Sequence, residues 1–282
     1  MTNAAQYKSV IKSMFDNYNQ WVPKEDQETL PSYLMTDTGV DTDWQEAMMR
    51  TGLLQNYMVS VRGGGENAQY SISYNHADDK GILLGNNYIQ DNARIKLHMQ
   101  KGILDFDANL GIRYTNNRQP TWSLKEMYAI SPLVPIYDDT QEYGYGLTTG
   151  DMPKNNNVMA DHHYRDAVTK RYYSTGNISI GIKLAPWLNF KTGYSYRGVH
   201  SRYTYHYQDY ISNPQSPNQY PYHREDTYYW EEHTLDNVLN FNKDFDKHSI
   251  SAMVGSSIMS RNYADNAIYE TCLLYTSPSP RD

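Results

Sequence analysis

Apolar and polar positions along the chain change their period near Tyr57. Before it, Tyr7, Val10, Ile11, Met14 and Phe15 recur at three- and four-residue spacing, which predicts a short helix. Thr2 or Asn3 can cap that helix, and Pro23 with the polar run after it ends it. From about Tyr57 onward the period is two wherever the chain is not a loop, which predicts β-strands.

The clearest strand runs from Leu104 to Thr115. Leu104, Phe106, Ala108, Leu110, Ile112 and Tyr114 fall on one face, and Asp105, Asp107, Asn109, Gly111, Arg113 and Thr115 on the other. Ala93, Ile95, Leu97 and Met99 alternate with Arg94, Lys96, His98 and Gln100, and Lys101-Gly102 joins the two runs as a tight hairpin. A second hairpin turns at Gly63-Gly64-Gly65, between Tyr57, Val59, Val61 and Tyr70, Ile72, Tyr74. A third carries Ile178, Ile180, Ile182 and Leu184 through Pro186 to Leu188, Phe190, Tyr194 and Tyr196. A fourth carries Leu235, Leu239 and Phe241 through Asp244–Lys247 to Ile250, Ala252, Val254 and Ile258, so about eight strands are visible.

The connections alternate as well. Tight turns near Gly64, Gly102, Pro186 and Asp246 are interleaved with long connections at 78–87, 116–170 and 203–227. Short turns on one side and long loops on the other are the plan of an outer-membrane barrel, whereas a sandwich has no reason to keep its loops on alternate connections. The fold expected is all-β: a partial antiparallel transmembrane β-barrel with a short N-terminal helix and long extracellular loops.

Composition sharpens this reading. Among 282 residues there are 28 Tyr and only 5 Phe, and mean hydropathy is −0.78. Barrel strands expose an apolar residue at every second position and ring the membrane interfaces with aromatics, so they are polar on average and rich in Tyr. No stretch approaches the roughly 18 consecutive apolar residues of a helical span. A formal charge of −7 supplies no basic face for nucleic acid. Cys272, the single cysteine, excludes a disulfide framework or thiolate metal site.

The two ends do not read as native termini. The start lacks the charged and apolar regions of a signal peptide. The run from Cys272 to Asp282 breaks from the alternation, carries two Ser-Pro steps and resembles a translated sequencing adapter, so 272–282 is expected to be a non-native tail.

Asp43-Trp44-Gln45-Glu46, Arg50-Thr51-Gly52, Gln55-Asn56-Tyr57 through Val61 to Gly63-Gly64, and Tyr70-Ser71-Ile72-Ser73-Tyr74 form one block. With Gly81-Ile82 after Asp78-Asp79, and with Ser131-Pro132-Leu133-Val134-Pro135-Ile136-Tyr137-Asp138 followed by Gly144, this block is similar to the start of the barrel in SusC/RagA-type TonB-linked outer-membrane proteins. The resemblance implies that 1–52 joins plug to barrel and that 53–271 is part of the barrel. Signal peptide, plug and energy-coupling segment are then expected upstream, and further strands downstream. It also implies a location in the outer membrane of a Gram-negative, Bacteroidota-type cell, in contact with its lipids. The function implied is import of oligosaccharides or peptides, with a SusD-like surface lipoprotein as lid and the TonB complex acting through the upstream segments. No enzyme activity, cofactor or metal is expected.

Two other architectures fit the strand count: a small eight-stranded barrel acting as adhesin or anchor, and a carbohydrate-binding β-sandwich. Candidate chemistry is sparse. Asp105 and Asp107 share a strand face and read as lumen-facing carboxylates. His162-His163 beside Asp161, and the scattered His200, His206 and His223, read as loop or strand residues rather than metal ligands. Gly63-Gly64-Gly65 lacks the Lys-Ser/Thr and helix of a phosphate loop. Trp122, Tyr128, Tyr137, Tyr143 and Tyr145, all in the longest connection, are the candidates for stacking on a sugar or packing against a partner. The tract Tyr203–Tyr210 is expected to carry its strand beyond the membrane into the aromatic girdle.

Overall fold

In the computed structural model, which describes residues 2–215 and 221–271, the change of period becomes a change of architecture. Helix α1 (Ala4–Trp21) starts at Asn3, whose side chain accepts from the Gln6 amide at 2.8 Å while the Gln6 side chain accepts from the Asn3 amide at 3.1 Å. It stops just before Pro23. After a short helix α2 (Trp44–Met48), N-capped by Asp43, the chain enters β1 (Leu53–Gly64) and then β2 (Ala68–Lys80), β3 (Asn87–Lys101) and β4 (Leu104–Arg118). Helices α3 (Leu124–Ala129) and α4 (Val158–Tyr164) occupy the longest connection. Strands β5 (Arg165–Ala185), β6 (Leu188–Tyr207), β7 (Tyr222–Phe245) and β8 (His248–Thr271) complete one sheet of eight strands, each paired antiparallel with its sequence neighbours.

The four tight turns lie where the alternation breaks, and three of them carry positive φ, at Gly64 (φ 144°), Gly102 (φ 62°) and Asp246 (φ 52°). The strands run longer than the alternation predicts. β5 begins at Arg165 rather than Ile178, and β6 and β7 extend to Tyr207 and Tyr222, which shortens the long connections to 81–86, 119–164 and 208–221. Among the described residues β1 and β8 do not pair, so the sheet is open and is not a closed eight-stranded barrel.

Directly paired residues share a face, so the register defines two surfaces. One carries the row Ala108, Ile178, Tyr194, Leu235 and Ile258, the other the row Gly111, Thr175, Arg197, Glu232 and Arg261. The apolar face is the exposed one: Ile112 is 60% exposed and Val254 73%. On the polar face Thr115, Thr169, Ser179, Ser201 and Glu232 are buried, while Arg62, Arg94 and Lys96 stay exposed. This inverts a water-soluble sheet, in which the apolar face is the covered one, and it removes the sandwich reading. The polar face is called inner below and the apolar face outer.

The apolar core lies off the sheet, in a cap at the long-connection end. Trp44 and Met48 of α2, Trp122, Met127 and Ile130 around α3, Val134, and Val158 of α4 form it. The Trp44 indole donates to the Ser131 carbonyl at 3.1 Å and the Trp122 indole to the Leu84 carbonyl at 3.1 Å, so each ring buries its body while keeping its N–H satisfied. The segment 1–52 belongs to this cap: Thr42 donates through its amide to Pro132 and through its hydroxyl to Val134, and the Ser32 amide donates to Asp151 at 2.6 Å. The chain therefore reaches β1 from the long-connection end.

Candidate functional site

Two surfaces offer chemistry, the inner wall of the sheet and the cap. On the inner wall, the register lines up Ser60, Ser73, Arg94, Gly111, Thr175, Arg197, Glu232 and Arg261 across all eight strands. Glu232 accepts from Arg197 at 2.5 Å and from Arg261 at 2.6 Å, so one shielded carboxylate holds two guanidinium groups. Such pairs give direction to a strand interface more than net stability. Toward the tight turns the next row carries Arg62, Ser71, Lys96, Asn109 and Asn177, and the one after it His98, Asp107 and Ser179.

Asp105 and Asp107 do lie together on this face, beside His98. The His98 Nδ1 is 2.7 Å from Asp107 and 3.7 Å from Asp105, and the Lys191 ammonium is 3.6 Å from Asp107. His98, Asp105 and Asp107 thus bring three potential metal-ligand atoms within 4.8 Å of one another, with the Lys191 ammonium beside them.

In the cap, Asp161 is fully buried, and its two oxygens are taken by protein groups rather than by the neighbouring histidines. The Tyr210 hydroxyl and the Arg165 guanidinium, the latter at 3.2 Å, meet Oδ1, and the Asn156 amide donates to Oδ2 at 3.0 Å. Burial first, and then the Asp161 carboxylate, hold the Tyr210 phenol protonated far above its usual range. His162 is turned onto the 81–86 connection, against Gly85, where a Cβ would sit 3.0 Å from its ring. Burial pushes its pKa down, with His163, Arg118 and Arg50 acting in the same direction.

The five aromatic candidates are not one surface. Trp122 is buried in the cap core, and Tyr145 is buried among Tyr137, Tyr164 and His163, with ring centroids 5.4, 5.8 and 5.9 Å away. Neither has a free face, because the connection folds into a packed layer instead of standing as an open loop. Tyr143 is half-buried, edge-on to Tyr164, while Tyr128 and Tyr137 are exposed.

The tract Tyr203–Tyr210 also takes a different place. Tyr203, Tyr205 and Tyr207 share the parity of Arg197 and so line the inner face, where Tyr207 stacks on Tyr222 at 5.3 Å. The outer aromatic row is made instead by Tyr57, Tyr114, Tyr172 and Tyr229, joined across the strands by His76, Asp91 and His200. Alternation places Tyr57 and Tyr114 on the apolar face, and Tyr172 and Tyr229 lie where the strands run beyond the alternation.

No family model matches the chain. It is 28% identical over 134 residues, 46% of its length, to the TonB-dependent receptor SusC of Bacteroides thetaiotaomicron. It is 26% identical over 230 residues, 77% of its length, to the TonB-dependent receptor P39 of Formosa agariphila. These matches span only 13% and 20% of the two relatives, so the chain corresponds to a small part of each. Solved structures of the RagAB peptide importer in its closed-closed state and of the RagAB peptide transporter share the fold. TM-scores are 0.61 and 0.63 at 15% and 16% identity, covering 94% and 93% of this chain and 34% and 31% of theirs. This chain is thus similar in sequence to part of two TonB-dependent receptors and shares its fold with part of the RagAB structures.

Proposed function

We propose that this chain is part of the wall of an outer-membrane pore through which a TonB-dependent receptor imports oligosaccharides or peptides, working with a SusD-like surface lipoprotein. The observation that carries the reading is the inverted sheet: apolar side chains exposed on the outer face, polar and charged ones gathered on the inner face, tight turns at one end and a folded cap at the other. An outer face of that kind is stable only against lipid. The inner face then lines the passage, and the cap, with Tyr128 and Tyr137 exposed, stands on the cell surface where a lipoprotein docks.

In this reading the barrel wall is 53–271 and the segment 1–52 joins it to the plug. The tail 272–282 lies outside the described residues. Transport is gated passage driven through the plug and the TonB complex. The test is uptake of labelled oligosaccharide and peptide pools by cells carrying the complete receptor gene, with TonB intact or deleted. Uptake of one pool that vanishes without TonB supports the proposal and names the cargo class. Equal uptake of both pools with and without the gene refutes it.

A further inference from the structure

At the β1–β3 edge the inner wall gathers three cations without an ion pair. Arg62 on β1 and Arg94 and Lys96 on β3 are exposed on the polar face, and among the described residues none of them has an ion-pair partner, unlike Arg197, Arg202, Arg224 and Arg261. The register sets them close together. Arg62 and Lys96 both pair with Ser71, so they flank β2 at about 10 Å, twice the usual spacing between strands. Arg94 stands roughly 7 Å from Lys96 along β3.

The floor between them is built from neutral donors, Ser71, Ser73, Gln69 and Asn109. Next to Arg94 the row has Gly111, where a Cβ would stand 3.7 Å from the guanidinium Nε and 2.9 Å from the Thr175 hydroxyl, so the absence of a side chain keeps the space beside Arg94 open. Arg62, Lys96, Ser71, Gln69 and Asn109 line a concavity of about 860 Å³, with Asp107 at its edge held by His98 and Lys191, and Arg94 stands just outside it. It is large enough for a residue or a sugar ring.

Two unpaired cations on the lining, a third beside it, and a carboxylate, Asp107, already engaged by His98 and Lys191 leave a surplus of positive charge, and we infer that this part of the wall binds carboxylate groups. A guanidinium meets a carboxylate with two parallel N–H donors, and the serine hydroxyls complete its acceptor sites. The inference deepens the importer reading, on which it rests. The carboxylate has two possible sources, an acidic cargo moving along the wall or an acidic side chain of the plug seated against it.

The test uses the complete receptor in detergent, as wild type, as R62Q/R94Q/K96Q, and as R62K/R94K, which keeps the charge and checks the fold. Calorimetric titration with Asp-Ala-Asp-Ala and with tetragalacturonate is compared with Asn-Ala-Asn-Ala and the galacturonate methyl ester. In parallel, release of the plug by guanidinium is followed by proteolysis. Loss of a charge-assisted contact weakens the acidic probe roughly tenfold or more. If the Gln variant does this and leaves the neutral probe unchanged, while R62K/R94K binds as wild type, the source is cargo. If instead the plug of the Gln variant is released at lower guanidinium, the source is the plug. If acidic-probe binding and plug release both match wild type, the inference is overturned. TonB-dependent uptake of neutral cargo by the Gln variant keeps the importer reading standing separately.

Discussion

Replacing Tyr210 by Phe removes one hydroxyl and leaves the ring in place. That hydroxyl donates to Asp161, a fully buried carboxylate whose other partners are Arg165 and Asn156. Those partners keep the charge compensated, so the loss is one hydrogen bond to a charged group, about 1.5–3 kcal/mol. The bond ties the 208–221 connection to α4, and the same junction is closed by the Asn157 amide donating to the Ser212 carbonyl at 2.8 Å. The Asn157 amide is therefore the local reporter. Where exchange follows local opening, Tyr210→Phe speeds it by about 10- to 100-fold, tenfold for each 1.4 kcal/mol. Hydrogen–deuterium exchange on the receptor in detergent reads this from a peptide spanning α4. Peptides from β3 and β4 serve as internal controls, because the tight-turn half of the sheet does not touch the cap. Unchanged exchange at Asn157, or an equal rise in β3 and β4, refutes the view that this bond latches the cap locally.

Three further outcomes are expected. Ile178 and Asn177 are sequence neighbours on opposite faces, so Ile178→Arg costs about 2–4 kcal/mol if it lies near the bilayer midplane and lowers folded receptor in outer-membrane fractions, while Asn177→Arg does not; equal yields would remove the face assignment. Trp44→Ala empties a fully buried site and loses the hydrogen bond to Ser131, costing about 3–5 kcal/mol, and protease should then cut within 119–164 while the strands stay protected. The depressed pKa of His162 means that the folded cap favours the neutral ring, against His163, Arg118, Arg50 and Asp166 around it. Cap stability is then full above the ordinary histidine pKa of about 6.5 and is lost as pH falls below it. Cap exchange corrected for intrinsic rates should rise from pH 7 to pH 5 in wild type and stay flat in His162→Gln.

Period-two alternation located every strand and all four tight turns, but it cut β5, β6 and β7 short. The reason lies in the rows. From Leu110 toward the tight turns the outer face is apolar, with Ala108, Ile178, Tyr194 and Leu235 in one row. Toward the cap the outer row is Asn116, Lys170, Arg202 and Thr227. Strands that rise above the lipid keep their ladder of backbone hydrogen bonds and lose the apolar residues that make a strand visible in sequence. The cap was legible only as a long connection with aromatics. Its helices α3 and α4 are too short for a helical period to emerge, although Ser123 with Glu126 does form a capping box. The inner-wall cations were visible as Arg94 and Lys96 opposite the apolar face, but their adjacency to Arg62 depends on the register of β1 against β2 and β3, which alternation alone does not specify.

The cap joins segments far apart in the chain: Ser32 meets Asp151 across 119 positions, and Tyr210 meets Asp161 across 49. Each tight hairpin, by contrast, closes over a few residues and can form as soon as its two strands exist. Because loop-closure entropy must be met before distant contacts repay it, the order of assembly follows: hairpins early, neighbouring hairpins zipped into the sheet next, and the cap last. Docking of Tyr210 onto α4 needs only the β5–β6 hairpin, whose ladder ends with Arg165 opposite Tyr207, whereas the Ser32–Asp151 contact closes the cap last. A barrel stalled before that point would present the unfolded cap, with its Trp and Met side chains bare, to whatever surveys the cell envelope.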